Sequence, residues 1–264
     1  MKKKRIAIIG CGNLGLSILN GLLAKKTFSA SHIIVTKRNL ETLKAVKNSG
    51  VKMTSDNGLA VRESDIILVA LKPYNILEVL QGIKQYFDPK RHVLVSMATG
   101  VSMEQIQKTI ESPVPLFRAM PNTAADVGES LTCICSNSTG HDQNETVKYI
   151  FDSIGSTIVI EEDLMEAATI LGACGIAYVL RFIRAMIQGG IEIGFDAKTA
   201  SAIVNQTVKG ASELLIKRKK HPEFEIDKVT TPKGCTIVGL NEMEHNGFSS
   251  SLIKGIVTSF EKIE

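Results

Sequence analysis

The sequence predicts an α/β protein with a mostly parallel, doubly wound sheet at residues 1–161 and an all-α part at residues 162–264. Up to about residue 160, short runs rich in β-branched residues alternate with segments of helical period, and beyond it we find no convincing strand. Runs such as IILVA at 66–70 are apolar on both strand faces, which is typical of central parallel strands.

Hydrophobic periodicity gives each element in order. We expect strands at 6–10, 32–36, 52–54, 65–71, 92–97, 116–120, 131–135 and 157–160. Helices are predicted at 14–26, 40–48, 74–86, 103–111 and 144–153, and then at 164–193, 197–220 and, with breaks, 232–264. The segment 197–220 carries an apolar stripe that includes Ile203, Val208, Leu214 and Leu215. The shift in composition near residue 161 is the predicted domain boundary.

Composition excludes several classes of protein. The 31 Lys and Arg residues against 27 Asp and Glu give a net charge of only +4, which is too weak to indicate nucleic acid. No apolar run reaches the roughly 18 residues that a membrane span needs, so we expect no membrane segment. The five cysteines are irregularly spaced and the five histidines are scattered, so neither a disulfide framework nor a metal site is predicted. Reduced thiols favour a cytoplasmic protein.

The strongest local motif is GCGNLG at 10–15, which directly follows a predicted strand and opens a predicted helix. The first glycine permits a tight turn, the second lets backbone approach a pyrophosphate, and the third lets the helix pack on the strand. The helix N-terminus then offers free N–H groups to phosphate. This context favours dinucleotide binding over a plain glycine turn.

The end of the second strand, Thr36-Lys37-Arg38, carries no acidic residue for a ribose 2′-hydroxyl. Two cations and a hydroxyl suit a 2′-phosphate instead. We therefore predict NADP(H) as the preferred cofactor, with NAD(H) possible. The alternative is that Lys37 and Arg38 are merely exposed loop charges.

Three more loops follow predicted strands, where ligands bind in such folds. They are ALKP at 70–73, MATG at 97–100 and RAMPNT at 118–123. Lys72 is either a phosphate or carboxylate contact or an exposed strand-end lysine. Asn122 is interpreted as a hydrogen-bonding group that faces the cofactor.

The segment VTTPKGCTIVGL at 229–240 places hydroxyls, proline and glycine just before a predicted helix. Such a start presents free backbone N–H groups to a carboxylate. Thr231 is also expected to be the N-cap before Pro232. Capping alone is the alternative explanation of this pattern.

With GCGNLG, LKP at 71–73, RAMPNT and HPEFEIDKVTTPKGCTIVGL from 221, the chain resembles the pyrroline-5-carboxylate reductase family over essentially its whole length. The resemblance implies an NADP-binding Rossmann domain and a helical domain that forms a homodimer, often within a larger ring such as a decamer. It implies hydride transfer from NADPH to the imine carbon of L-1-pyrroline-5-carboxylate, giving L-proline in the last step of proline biosynthesis.

The motifs and the resemblance together give the candidate site residues. For the substrate they are Glu162, Thr231, Gly234, Cys235 and Thr236, with the Thr236 hydroxyl on the ring nitrogen as the catalytic group. For the cofactor they are Gly10, Gly12, Asn13, Leu14, Gly15, Thr36, Lys37, Arg38, Asn57, Leu71, Lys72, Pro73, Ala98 and Asn122.

Two segments depart from the family pattern. The family segment SGSGPAY is GACGIAY at 172–178, and its paired glycines after proline are Lys233 and Gly234. These departures keep two alternatives open. One is a related reductase acting on another cyclic imino acid, and the other is a non-catalytic NADP-binding sensor.

Overall fold

The computed structural model describes residues 4–263, except for the side chain of Ala45. Its described residues form two compact units, one of residues 4–174 with Ile263 and one of Gly175–Lys262.

The first unit contains one eight-stranded sheet in the order β3-β2-β1-β4-β5-β6-β7-β8. Only β6 and β7 are antiparallel to each other, and every other neighbouring pair is parallel. The strands are β1 Ile6–Ile9, β2 Ile33–Thr36, β3 Lys52–Thr54, β4 Ile66–Val69, β5 Val93–Ser96, β6 Leu116–Met120, β7 Ser130–Ser136 and β8 Gly155–Val159. All eight predicted strands are therefore confirmed within two residues at each end.

Helices cover both faces of the sheet because its central strands are apolar on both sides. Ile66 and Leu68 of β4 pack into one core cluster, whereas Ile67 and Val69 pack into the other. The α-helices of this unit are α1 Asn13–Ala24, α2 Asn57–Arg62, α3 Pro73–Ile83, α4 Met103–Ile110, α5 Asn144–Phe151 and α6 Met165–Ala168. Shorter 3₁₀ turns lie at Ala30–His32, Lys84–Tyr86, Thr123–Val127, His141–Gln143 and Glu162–Leu164.

Two segments of this unit differ from the prediction. The helix expected at 40–48 is an irregular 3₁₀ segment, Leu40–Val46, with non-helical backbone at Leu43. The six-residue helix α2 was not predicted, because it spans less than two turns and shows little periodicity. A local cap explains it, since the Asp56 carboxylate accepts a hydrogen bond from the Leu59 N–H at 2.9 Å.

Helices are the only regular secondary structure among the described residues of the second unit. Its helices are α7 Gly175–Glu192, α8 Ala197–Arg218, α9 Pro222–Val229, α10 Cys235–His245 and α11 Phe248–Glu261. Helix α9 was not predicted, and Glu264, the end of the last predicted helix, lies outside the described residues. Within this unit the only buried hydrophobic residues among those described are Ala200 and Val204.

The helical run Glu162–Glu192 corrects the expectation of no membrane-length segment. By length and composition alone it is long and apolar enough to cross a membrane, with a mean hydropathy of 1.7. Only 6% of its apolar window is buried within the single chain. A single such helix is weak support for a membrane span.

We expect the stability of the sheet unit to fall below neutral pH through His92. Burial, followed by the charge of Arg91, lowers the pKa of His92 below its ordinary 6.5. The folded state therefore binds this proton less tightly than the unfolded chain, so stability is lost as the pH falls through 6.5. Urea unfolding of the wild type should show a smaller unfolding free energy at about pH 5 than at about pH 7.5.

The control is His92→Asn, because an amide oxygen can replace Nδ1, which accepts the Asp88 N–H at 2.9 Å. This variant should show a flatter pH dependence than the wild type. Identical pH profiles for the two proteins would contradict the assignment.

Candidate active site

The loop after β1 passes so close to its neighbours that two of its glycines cannot carry a side chain. Gly10 has φ +88°, and a Cβ there would lie 2.8 Å from the Ala70 carbonyl oxygen. A Cβ on Gly15 would lie 2.8 Å from the carbonyl oxygen of Gly10 itself. The loop can therefore turn tightly from β1 into α1.

Gly12 is different, because no atom lies within 4 Å of the position of an added Cβ. Gly12 is also the N-cap of α1, and it has no side chain to cap the helix. The first N–H groups of α1 are therefore left for an external acceptor. This open cradle at a helix N-terminus fits the pyrophosphate of a dinucleotide.

The end of β2 fastens the loop. The N–H of Cys11 donates to the Thr36 carbonyl at 2.8 Å, and the N–H of Gly10 donates to the Thr36 hydroxyl oxygen at 3.2 Å. Thr36 is buried. The residue predicted to receive a 2′-phosphate therefore also holds the glycine loop in place.

Lys37 and Arg38 follow directly, the first half-buried and the second exposed. Neither forms a salt bridge with any residue between 4 and 263. Burial raises the pKa of the Cys11 thiol to about 11, although the nearby Lys37 charge lowers it. Cys11 is therefore an unreactive thiol. Because Lys37 and Arg38 have no salt-bridge partner among these residues, both cations remain available to an anion.

The other predicted cofactor residues lie at the same edge of the sheet, where its parallel strands end. Asn57 opens α2 after β3, and Leu71, Lys72 and Pro73 lead from β4 into α3. Lys72 is exposed and Leu71 is half-buried. Ala98 is buried just after β5. The strand order of the sheet reverses between β1 and β4. In such sheets the usual ligand crevice lies at this reversal, outside the carboxyl ends of the strands.

Asn122 also lies at this edge, but its amide is already engaged. It is buried, its Nδ2 donates to the Gly172 carbonyl at 3.0 Å, and its Oδ1 accepts from the Ala124 N–H at 3.0 Å. The carboxylate of Glu162 also has a partner within the protein, since its Oε1 accepts a hydrogen bond from the Met103 N–H at 2.7 Å.

Sequence reasoning missed one contact and one irregular helix around these residues. The Ser17 hydroxyl of α1 bonds to the carboxylate of Asp126, which joins the turn after Asn122 to the glycine-loop helix. The segment Thr169–Cys174 is a π-helix. A local pattern does not reveal the contact, because the two residues are 109 positions apart.

In the second unit, residues 231–234 form a turn closed by the N–H of Gly234, which donates to the Thr231 carbonyl at 2.9 Å. The expectation that Thr231 caps the helix is wrong, because α10 begins at Cys235 and Gly234 is its N-cap. Pro232 has no N–H and takes the second position of the turn. A Cβ on Gly234 would lie 2.6 Å from the Thr231 hydroxyl oxygen and 3.0 Å from its carbonyl oxygen, so a side chain there would force the turn to shift.

The corrected turn still leaves the first turn of α10 without a side-chain cap. Thr236 lies in that turn and is half-buried, whereas Cys235 is exposed. The turn that contains Thr231 and Gly234 thus leads directly into Cys235 and Thr236, whose N–H groups have no side-chain cap at the start of α10. The remaining sequence-predicted substrate residue, Glu162, belongs to the first unit.

Family models match both parts of the chain. Residues 5–100 match the model described as NADP oxidoreductase, coenzyme F420-dependent. Residues 162–264 match the model described as pyrroline-5-carboxylate reductase dimerisation.

Curated relatives cover nearly the whole chain. Pyrroline-5-carboxylate reductase 1 of Dictyostelium discoideum is 46% identical over 97% of this chain, which spans only 49% of that longer protein. Pyrroline-5-carboxylate reductase 2 of the same organism is 42% identical over 98% of this chain and 92% of its own length.

Solved structures agree with these matches. Pyrroline carboxylate reductase of Plasmodium falciparum with NADP bound has a TM-score of 0.89 at 28% identity, covering 100% of this chain and 98% of its own. A pyrroline-5-carboxylate reductase of Coxiella burnetii has a TM-score of 0.93 at 28% identity and covers 99% and 98%.

The doubly wound sheet, its glycine cradle and the helical second part define an oxidoreductase with a dinucleotide-binding domain. Its relatives narrow this class further. The chain belongs to the pyrroline-5-carboxylate reductase family, whose members are NAD(P)H-dependent oxidoreductases. The resemblance found in the sequence motifs is thereby confirmed.

Gly12 and Gly15 of this loop should respond differently to alanine. Gly12→Ala should leave stability unchanged but raise the NADPH dissociation constant about tenfold or more, because the methyl group fills the cradle. Gly15→Ala should instead lower the unfolding free energy by about 1–3 kcal/mol. Calorimetric binding and urea unfolding measure the two effects, and NADPH binding by Gly12→Ala at wild-type strength would contradict the cradle.

Lys233 is a second position where a substitution tests the backbone. Its φ of +60° lies in the left-handed region, which costs a non-glycine residue about 1–2 kcal/mol. After the extra chain entropy of glycine, Lys233→Gly should raise the unfolding free energy by about 0.5–1 kcal/mol. Lys209→Gly, inside α8, is the control and should lower it by about 1 kcal/mol; a loss of stability in both variants would exclude strain at Lys233.

Proposed function

We propose that this chain reduces L-1-pyrroline-5-carboxylate to L-proline with NADPH, as the last step of proline biosynthesis. The observation that carries the proposal is membership of the family over 98% of the chain, together with a glycine cradle that has room for a pyrophosphate. When bound, NADPH supplies a hydride to the imine carbon. Residues 1–161 are the proposed cofactor domain, and residues 162–264 are the proposed substrate and dimerisation domain.

The cofactor would be held first at its phosphates. Backbone N–H groups at the N-terminus of α1 are offered to the pyrophosphate by Asn13, Leu14 and Gly15. Gly10 and Gly12 shape the loop around it, because their own N–H groups donate to the Thr36 hydroxyl and to the Gly10 carbonyl. Thr36, Lys37 and Arg38 follow β2, and we assign the two unpaired cations to the 2′-phosphate. NADP(H) is therefore preferred and NAD(H) remains usable, because the pyrophosphate contacts are common to both.

The rest of the cofactor would lie along the carboxyl edge of the sheet. The proposed contacts are Asn57, Leu71, Lys72, Pro73 and Ala98. Small or rigid residues such as Pro73 and Ala98 let a flat ring approach the backbone. Asn122, which the sequence predicts to face the cofactor, is left out of this set, because its side-chain amide, its N–H and its carbonyl all have partners within the protein.

The substrate carboxylate would be held by the loop before α10. Thr231 and Gly234 shape the turn, and the N–H groups of Cys235 and Thr236 are free at the start of the helix. The Thr236 hydroxyl bonds the ring nitrogen. Glu162 lies near the substrate in the family pattern.

This reaction needs little acid–base chemistry from the protein. The imine nitrogen can arrive protonated, so its carbon is already electrophilic. The side chains then have to orient the two reactants and neutralise a carboxylate. A site of hydroxyls and backbone N–H groups is sufficient for that task.

Assembly is the second part of the proposal. The dimerisation model covers residues 162–264, which indicates a homo-oligomer. Large hydrophobic side chains such as Leu180, Ile193 and Ile253 are exposed on this part of a single chain. A partner subunit would cover them, and the dimers would assemble into a larger ring such as a decamer.

We propose that the enzyme works in the cytoplasm, because its cysteines are all free thiols, namely Cys11, Cys133, Cys135, Cys174 and Cys235.

The test is NADPH oxidation by the purified full-length chain with L-1-pyrroline-5-carboxylate, followed at the nicotinamide absorbance, with NADH in parallel. We expect proline to form, with a higher kcat/KM for NADPH than for NADH. Cofactor binding without turnover would favour a sensor. Faster turnover of another cyclic imine would favour a related reductase, in keeping with the unusual Lys233.

Substitutions at Thr236 provide the control for this assay. Thr236→Ala removes the hydroxyl and should lower kcat/KM for the imine by roughly tenfold. Thr236→Ser keeps it and should stay close to the wild type. Full turnover by Thr236→Ala would refute the catalytic role of this residue.

A further inference from the structure

We propose that Arg118 and Asn122 are positioning residues that fasten residues 162–174 to the carboxyl end of β6. We call these two side chains the β6 clamp. The inference rests on the proposed function in one respect, namely that Glu162 lies near the substrate. It assigns to the segment RAMPN a task inside the protein rather than a contact with a ligand.

Arg118 forms the first half of the β6 clamp. It lies on β6 and is only 4% exposed. Its guanidinium pairs with Glu166 at 2.6 Å and with Glu162 at 3.4 Å. These carboxylates are one helical turn apart, so a single buried cation holds both of them on the same side of the segment.

Glu162 is held from a second direction. Its Oε1, which faces Arg118, also accepts the N–H of Met103 at 2.7 Å. Met103 is the first residue of α4, where the N–H groups have no partner within the helix. The position of Glu162 is therefore fixed jointly by β6 and α4.

Asn122 forms the second half, four residues further along the chain. Its amide donates to the carbonyl of Gly172, and Gly172 lies within the π-helix Thr169–Cys174. A π-helix is a wide turn that alters the usual i→i−4 hydrogen-bond pattern, and it often marks a functional site. Asn122 therefore holds this irregular turn by a partner outside the helix.

The clamp thus holds both ends of residues 162–174. One end carries Glu162, and the other contains Gly172, Ala173 and Cys174, which depart from the family pattern. We infer that the clamp keeps Glu162 in the place the reaction requires. The glycine cradle has its own supports at Thr36, so loosening the clamp should leave cofactor binding intact.

The experiment compares the wild type with Asn122→Asp and Glu166→Gln in the full-length protein. In Asn122→Asp the carboxylate can still accept the Ala124 N–H but cannot donate to Gly172, and it repels that carbonyl. In Glu166→Gln the charge that pairs with Arg118 is removed at constant shape. Both avoid truncating Arg118, which would leave two carboxylates without their cation and endanger folding.

Each variant has a matched control at the opposite edge of the sheet. Asn137 accepts the Leu116 N–H at 3.1 Å and donates to the Val114 carbonyl at 3.3 Å. Asn137→Asp therefore repeats the same chemistry at the start of β6. Asp65→Asn is the control for Glu166→Gln, because Asp65 pairs with Arg91 at 2.9 Å.

Four quantities are measured on every variant: kcat and KM for the imine, the NADPH dissociation constant, and amide hydrogen exchange of residues 162–174. Because the chain contains no Trp, the fluorescence of bound NADPH reports binding without a tryptophan background. The clamp variants should lose about tenfold in kcat/KM for the imine and keep the NADPH dissociation constant within about twofold. Their amides at 162–174 should exchange faster, whereas the controls should change neither kcat/KM nor this exchange.

Unchanged exchange at 162–174 in both clamp variants would overturn the proposal, and so would an equal loss of kcat/KM in the controls. The exchange measurement does not depend on turnover. If the wild type reduces no imine, the proposed function fails, and the exchange data alone still decide whether Arg118 and Asn122 fasten the segment.

Discussion

The tight packing of the loop after β1 against its neighbours is the constraint on which the candidate cofactor site of this protein depends. The backbone of Gly15 approaches the carbonyl of Gly10 so closely that no side chain fits between them, and two hydrogen bonds from the loop to Thr36 hold it there. These contacts aim the N-terminus of α1 at the open space beside Gly12. The anion site is therefore made from backbone geometry and needs no charged side chain at its centre.

The same edge of the sheet also holds residues 162–174 in place, and it does so through different chemistry. At the end of β6, buried Arg118 and Asn122 reach across to residues 162–174, where charge and amide contacts replace close backbone packing. Glycines at the end of β1 leave space for a ligand, whereas polar side chains at the end of β6 bind another segment of the protein. Both solutions exploit the alignment of parallel strands, which brings their carboxyl ends to one edge.

Most of the sheet could be predicted from sequence because its strands are buried on both faces, as with Ile66 to Val69. The segment at 40–48 was predicted less well, since Leu43 breaks the helical backbone and its apolar spacing alone does not show this. The cap at Thr231 was placed wrongly because Pro232 suits both a first helical turn and the second position of a tight turn. Only the fold distinguishes the two. The pairing of Arg118 with Glu166 spans 48 positions, so no local pattern encodes it.

The near absence of buried apolar side chains in the helical unit Gly175–Lys262 has a consequence for how the chain exists in solution. A unit that buries only Ala200 and Val204 among its described hydrophobic residues has little core from which to draw its own stability. Its free energy of folding then has to come largely from association, so its stability rises with the logarithm of the protein concentration. Dilution and unfolding become one equilibrium for this helical unit, while the sheet unit, with its two large core clusters, is far less sensitive to dilution.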